Sequence, residues 1–293
     1  LVRAIAVDDE GGVLIGGEDW QSYRSVERFD DDGGRDPIFV APDADGGVRA
    51  LAIDDQGRIL VAGAFTALDG VGRSRLARLS AGGALDPAFA GPAIDGTVWS
   101  LLLLDDGRLL IGGDFTTVGG QPRHGVALLT ATGALDPSFG DPEIAGLTGQ
   151  ARGVTGLAVT ADQDVYAVGD FTTVDGADEA FVTRLEPDGT RDPSFDAPTM
   201  VAPQGLRAVV LPPGGGVVVA GTVTEVSGVS RRGVARLGDD GALDPSLGDV
   251  AANAEVSALL VADDGALVLG GRFTQVGGGN RQAGAPVHAA GGP

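Results

Sequence analysis

The sequence has no cysteine, no lysine, one methionine and two histidines. Without cysteine there is no disulfide framework and no thiolate zinc site. His124 and His288 are far apart, and neither has an Asp or Ser at a spacing that suggests a nucleophilic triad. A G-x-S-x-G elbow is also missing. Both histidines therefore read as loop or surface residues, and no enzyme is expected. No apolar run approaches the ~20 residues that a membrane-spanning helix needs. No helix-length window combines three-and-four apolar spacing with freedom from glycine, so helices are not expected either.

Basic charge is the next shortage. Twenty basic residues, all arginine, face 41 acidic ones, for a formal net charge of −21. Nucleic acid and anionic lipid both repel such a chain, so neither is expected as a partner. The composition suits a soluble, secreted or surface-displayed protein. The chain begins at Leu1 with no signal peptide, which reads as a processed or excised piece of something longer, with other domains.

Glycine is abundant, at 50 of 293 residues, and sits between apolar runs rather than in a collagen period. Those runs repeat. The first of each unit reads VRAIAV (2–7), VRALAI (48–53), VWSLLL (98–103), VTGLAV (154–159), LRAVVL (206–211) and VSALLV (256–261). A turn such as DDGR follows, then a second run such as LLIGG, a Phe-Thr segment, a polar loop and a third run such as VARL. A second turn and a closing Asp-Pro segment, such as LDPSF, end the unit. This gives six units of about fifty residues: 2–47, 48–97, 98–153, 154–205, 206–255 and 256–293.

The runs are short, rich in Val, Ile and Leu, and bounded by Asp-Gly or Gly-Gly, which marks strands joined by hairpin turns. Both faces of VWSLLL are apolar, so each sheet needs a neighbour on either side. Proline cannot donate to a ladder, so the Asp-Pro segment belongs at an edge or a strand start. Three strands and a short fourth per unit define an all-β protein, a single β-propeller domain over 1–293, with six blades. A larger ring built from a longer chain and a β-solenoid are the structural alternatives.

The order apolar run, DDGR, LLIGGDFTTVGG, VARL, DDGALDPSF resembles the delta-60 repeat, a bacterial β-propeller-like repeat of unassigned function. The resemblance is strong in units 2, 3, 5 and 6 and good in unit 4. Unit 1 departs from it, with GEDWQSYR (17–24) in place of the Phe-Thr segment; unit 5 has Val223 for Phe; unit 6 lacks the closing Asp-Pro-x-Phe. The family implies secreted or cell-surface proteins and brings no catalytic motif.

Phe65, Phe115, Phe171 and Phe273 recur at one place in the repeat and are expected to plug the core between blades. Asp86, Asp136, Asp192 and Asp244 recur in the closing segment. Arginine recurs inside the third run at Arg28, Arg78, Arg184 and Arg236, where a half-buried guanidinium needs a partner. The closing aspartates, with Asp36 in unit 1, are the natural ones. Unit 3 has Leu128 in place of that arginine. A second arginine position, before the third run, reads Tyr23, Arg73, Arg123, Glu179, Arg231 and Arg281. Four arginines there form a candidate anion or sugar site, unless each pairs with an aspartate nearby. Trp20 and Tyr23 are a candidate sugar-stacking pair, unless Trp20 fills the space of the missing Phe.

The acidic turns FDDDGGRD (29–36) and VDDEGG (7–12) make calcium the one metal to weigh, but no segment has the D-x-[DN]-x-[DN]-G spacing, and hairpin-turn chemistry accounts for Asp-Gly. No cofactor is expected. The function that follows is a non-catalytic, extracellular or surface module for structural display or recognition of a protein or surface glycan. The alternatives are a carbohydrate- or anion-binding propeller and, second, a hydrolase or lyase with a central-channel site.

Overall fold

The Asp-Gly pairs become tight turns. At 54–58, Asp54 Oδ1 accepts from the N–H of Gln56 and Arg58, and Gly57 supplies the positive φ of 71° that closes the hairpin. Such turns organise the computed structural model, which describes residues 2–18, 26–147, 152–281 and 284–287. Among these there are strands and no helix.

The chain divides into two compact units, 1–141 and 142–293. The first holds three antiparallel three-stranded sheets. Sheet 1 is Val2–Val7, Val13–Gly17 and Val26–Phe29; sheet 2 is Val48–Ile53, Ile59–Gly63 and Leu76–Leu79; sheet 3 is Val98–Leu103, Leu109–Gly113 and Val126–Leu129. The second holds sheet 4, Val154–Val159, Val165–Gly169 and Val182–Leu185; sheet 5, Leu206–Val210, Val217–Gly221 and Val234–Leu237; and sheet 6, Val256–Val261, Leu267–Gly271 and Gly284–Val287. In every sheet the second strand lies between the first and third.

The fourth strand expected from the Asp-Pro segment is reduced to single bridges, Leu79 to Leu85 and Leu129 to Leu135 among them. The Asp-Pro pair turns the chain instead. Asp86 Oδ1 accepts from the N–H of Ala88, and the same geometry recurs at Asp136, Asp192 and Asp244. The polar loop after the Phe-Thr segment, read as irregular, is a second small hairpin, such as Thr117–Val118 with Gln121–Pro122.

Packing follows the repeat. Within the first unit, Leu14 and Val26 of sheet 1 pack on Val48, Leu51 and Ile53 of sheet 2. Leu60 and Leu76 of sheet 2 pack on Val98, Leu109 and Ala127 of sheet 3. Within the second, sheets 4 and 5 share one cluster and sheets 5 and 6 another. Phe65, Phe115, Phe171 and Phe273 are all buried. Phe65 sits in the cluster of sheets 1 and 2, Phe115 in that of sheets 2 and 3, and Phe273 in that of sheets 5 and 6. Val223 takes the same place between sheets 4 and 5.

The glycine before the Phe-Thr segment serves a close approach. A β-carbon on Gly63, Gly113, Gly169, Gly221 or Gly271 would collide with the carbonyl oxygen of Gly47, Thr97, Gly153, Gly205 or Glu255, respectively. Each of those carbonyls lies where the first strand enters its sheet, next to an irregularity in register such as that between Val48 and Ala50. In LLIGGDFTTVGG the second glycine is thus set by this close approach.

Candidate functional site

The third-strand arginines fold onto the closing aspartates. Arg78 Nε lies 2.8 Å from Asp86 Oδ2, Arg184 Nε 2.5 Å from Asp192 Oδ2, and Arg236 Nε 2.9 Å from Asp244 Oδ2. In sheet 1 the corresponding distance, Arg28 to Asp36, is 4.0 Å, because the Arg28 guanidinium turns to Asp8 at 2.5 Å. Where Leu128 replaces the arginine, Arg108 from the hairpin turn reaches Asp136 at 3.7 Å. Burial opposes ionisation of Asp86, yet the Ala88 N–H and Arg78 together hold its carboxyl below the usual range. The same arginines reach forward. Arg28, Arg78 and Arg184 donate to the carbonyls of Ala81, Ala131 and Asp239 in the second turn of the following sheet. The Arg78 guanidinium also covers the Phe89 ring at 4.8 Å. These groups are structural.

At the second arginine position the side chains are held locally. The backbone N–H of Arg73, Arg123, Arg231 and Arg281 closes the small hairpin on the carbonyls of Thr66, Thr116, Thr224 and Thr274. The guanidinium of each turns back to the carbonyl of the preceding residue, Gly72, Pro122, Ser230 or Asn280. Among the described residues none of the four forms an ion pair, so the pairing with nearby aspartates is not how they are satisfied. Arg231 is 7% exposed with Nε unpartnered, and Arg123 donates a further bond to the Phe139 carbonyl at 3.0 Å. Glu179, the exception in the series, is buried and pairs with Arg191 at 2.5 Å; burial pushes its carboxyl up against that pull. His124 Nδ1 lies 2.7 Å from Asp141 Oδ2, whose other oxygen accepts from the His124 backbone N–H. Trp20, Tyr23 and His288 lie outside the described residues. Among the described residues no group of three or more His, Asp or Glu is arranged to hold a metal ion.

Two sets of residues escaped the sequence reading. The first holds the Phe-Thr segment. Asp95 Oδ1 accepts from the N–H of Thr116 and Thr117, both at 2.9 Å, and its Oδ2 accepts the Thr116 hydroxyl at 2.7 Å. Asp45 does the same for Thr66 and Ala67; Asn253 Oδ1 accepts from the N–H of Thr274 and Gln275, while its Nδ2 donates to the Thr274 hydroxyl. Burial opposes the effect, but these donors hold the Asp95 carboxyl down to about 2.

The second set lies where the first strands begin. Neighbouring first strands run side by side within each unit, so their second residues form a row: Arg3, Arg49 and Trp99 in the first unit; Thr155, Arg207 and Ser257 in the second. Glu18, at the end of sheet 1, joins Arg3 at 3.9 Å and Arg49 by a short ion pair. The Arg49 guanidinium lies over the Trp99 ring at 4.8 Å, and the indole N–H donates to Asp114 at 3.1 Å. In the second unit Arg207 Nε meets Glu255 at 2.8 Å, and the Thr155 hydroxyl donates to the Leu206 carbonyl. Burial pushes the carboxyl of Asp170 up, against the N–H groups of Arg152 and Gly153 that hydrogen-bond to it. The row gathers guanidinium and indole groups that are held by partners of their own, with the Arg49 side chain 13% exposed and the Arg207 side chain 6%. Its signal was in the sequence, as the position in the apolar first runs that carries Arg, Trp, Thr or Ser.

With this geometry in hand, the class is plain: an all-β chain built of β-propeller repeats. Residues 57–89, 104–139, 161–195 and 215–247 each match the family described as "Domain of unknown function (DUF5122) beta-propeller", together a little under half of the chain. Each match runs from the first turn of a repeat to its Asp-Pro segment. No curated protein matches the sequence. Among solved structures, the WD40 β-propeller domain of Doa1 is similar with a TM-score of 0.60 at 15% identity, over 92% of this chain and 75% of that one. A streptogramin B lyase is similar with a TM-score of 0.54 at 16% identity, over 92% and 75%. A gluconolactonase from Xanthomonas campestris is similar with a TM-score of 0.50 at 20% identity, over 89% and 80%. At these identities the likeness is one of fold.

Proposed function

We propose that this protein is a non-catalytic recognition module of an extracellular or cell-surface protein, and that its repeats are delta-60 repeats. One observation carries the reading. The scaffold is constant from repeat to repeat, while the second residue of each first strand varies among Arg3, Arg49, Trp99, Thr155, Arg207 and Ser257. Varied polar and aromatic side chains in register on a constant framework are what a binding surface requires. In the first unit, Arg49 stacked on Trp99 is the anchor of that surface. The acidic composition suits such a setting.

The test is an array of glycans and extracellular-matrix peptides probed with the protein and with Arg49→Ala and Trp99→Ala variants. A ligand is expected whose binding falls at least tenfold in both variants while the melting temperature holds. A ligand bound equally well by both variants places recognition elsewhere. Release of a cleaved product from the bound ligand overturns the non-catalytic reading.

A further inference from the structure

Ile38 and Val40 flank the buried Phe39 in the first closing segment, and both are open to solvent, at 83% and 64%. The later repeats have Ala, Ser, Gly or Asp at these two places, in DPAFA, DPSFG, DPSFD and DPSLG. The Val40 N–H donates to the Gly82 carbonyl, so the pair lies beside the second turn of sheet 2.

Ala81, in that same turn, borders a cleft of about 450 Å³ between the first turns of sheets 1 and 2. Leu14, Ile53 and Ile59 give it apolar walls, and Asp9, Glu10 and Asp55 an acidic rim. A second cleft, of about 520 Å³, lies in the same place between sheets 2 and 3. Its walls are Leu60, Leu103 and Leu109, and Asp55 and Asp105 stand at its rim. The two clefts share Asp54, Asp55 and Gln56. They form one groove with apolar walls across the ends of three sheets, with Ile38 and Val40 beside its first cleft.

Charge decides the occupant. Asp9, Asp55 and Asp105 hold the same place in three successive turns and are exposed. Among the described residues they have no hydrogen bond or ion pair through their carboxylates. The arginines of the clefts are already engaged: Arg28 with Asp8 and the Ala81 carbonyl, Arg58 with Asp54, Arg78 with Asp86 and the Ala131 carbonyl. The second unit has Ala161 and Pro213 at two of its three equivalent places, so the row belongs to the first unit. Sheets stacked face to face stand about 10 Å apart, which sets the step from one turn to the next. A polyproline-II segment rises about 3.1 Å per residue with three residues per turn, so every third side chain falls on one edge at steps of about 9 Å.

We infer that this groove binds an extended basic segment of a partner protein, with Arg or Lys at every third residue over the Asp9–Asp55–Asp105 row and a large apolar side chain against Ile38 and Val40. The basic heads pair with the carboxylates while their aliphatic stems lie along the apolar walls. A second copy of this chain, at −21, is repelled from the same place. The groove lies at the opposite end of the first strands from Arg3, Arg49 and Trp99, so the inference stands apart from the reading of that row.

Fluorescence anisotropy tests it with a labelled peptide of three Arg-Pro-Pro triplets carrying leucine at one end or the other. A third peptide of the same composition has its three arginines in a row. One of the two spaced peptides is expected to bind, more weakly as salt screens the attraction. The triple variant Asp9→Asn, Asp55→Asn, Asp105→Asn is expected to bind it about tenfold more weakly, and Ile38→Ser about threefold. All four sites are exposed, and circular dichroism checks that each variant keeps its strands. The peptide with clustered arginines is expected to bind more weakly than the spaced one. Failure of both spaced peptides to bind, binding that survives the triple substitution, or clustered arginines that bind as well as spaced ones overturns the inference.

Discussion

A single side chain can fix a whole segment, and Asp95 does so. Its two oxygens take three donors from Thr116 and Thr117, and its carboxyl is held at about 2, below the ordinary 3.8. Because the folded value is the lower one, the contribution is complete above pH 3.8 and disappears as pH falls through about 2. Asp95→Ala is expected to cost about 1–2 kcal/mol in urea denaturation at neutral pH. Asp95→Asn is expected to cost less than about 0.5 kcal/mol, since Asn253 fills the same role in the sixth repeat. The Asn variant also loses less stability than the parent between pH 3.8 and 2, which acid titration of the two proteins measures. None of this was legible beforehand. The aspartate precedes its threonine by 21 residues, across two strands and the turn between them, and only the fold brings them together. The Arg–Asp contacts were legible, because a buried guanidinium inside an apolar strand requires a partner and the repeat offered one acid at a constant offset.

At the scale of the strand, the architecture was open to reading because the signals were local. Short branched runs, Asp-Gly turns and the recurring Phe each act within a few residues. The fourth strand was misjudged because Asp86 and its equivalents bond their own turn and leave one bridging residue for the ladder. The row Arg3, Arg49, Trp99 was missed because its meaning lies between strands, not within one. Gly113→Ala tests the close approach at Thr97. Its β-carbon meets a backbone oxygen that cannot yield cheaply, so a loss of about 1–3 kcal/mol is expected by thermal denaturation. Phe115→Ala, which empties the plug between sheets 2 and 3, is expected to cost about 3–5 kcal/mol by the same measurement. Leu128→Arg restores the arginine that the third sheet lacks, opposite Asp136.

Over the whole molecule, stability is a sum of repeats and the joints between neighbours, set against the self-repulsion of 41 acidic residues. Moderate sodium chloride is therefore expected to raise the melting temperature, and calorimetry at low and moderate salt checks the sign. The arginine joints add a direction to that sum. Arg28 bonds Ala81, Arg78 bonds Ala131 and Arg184 bonds Asp239, always toward the C-terminus. During synthesis each of these three sheets thus leaves the ribosome before the carbonyl that secures its arginine has been made. A nascent chain stalled at Ser80 has its first sheet complete and Arg28 without its forward acceptor. Translation past Ala81 supplies it. Sheets 1, 2 and 4 are thus locked one repeat late, and a pause inside the following repeat leaves such a sheet open to proteolysis.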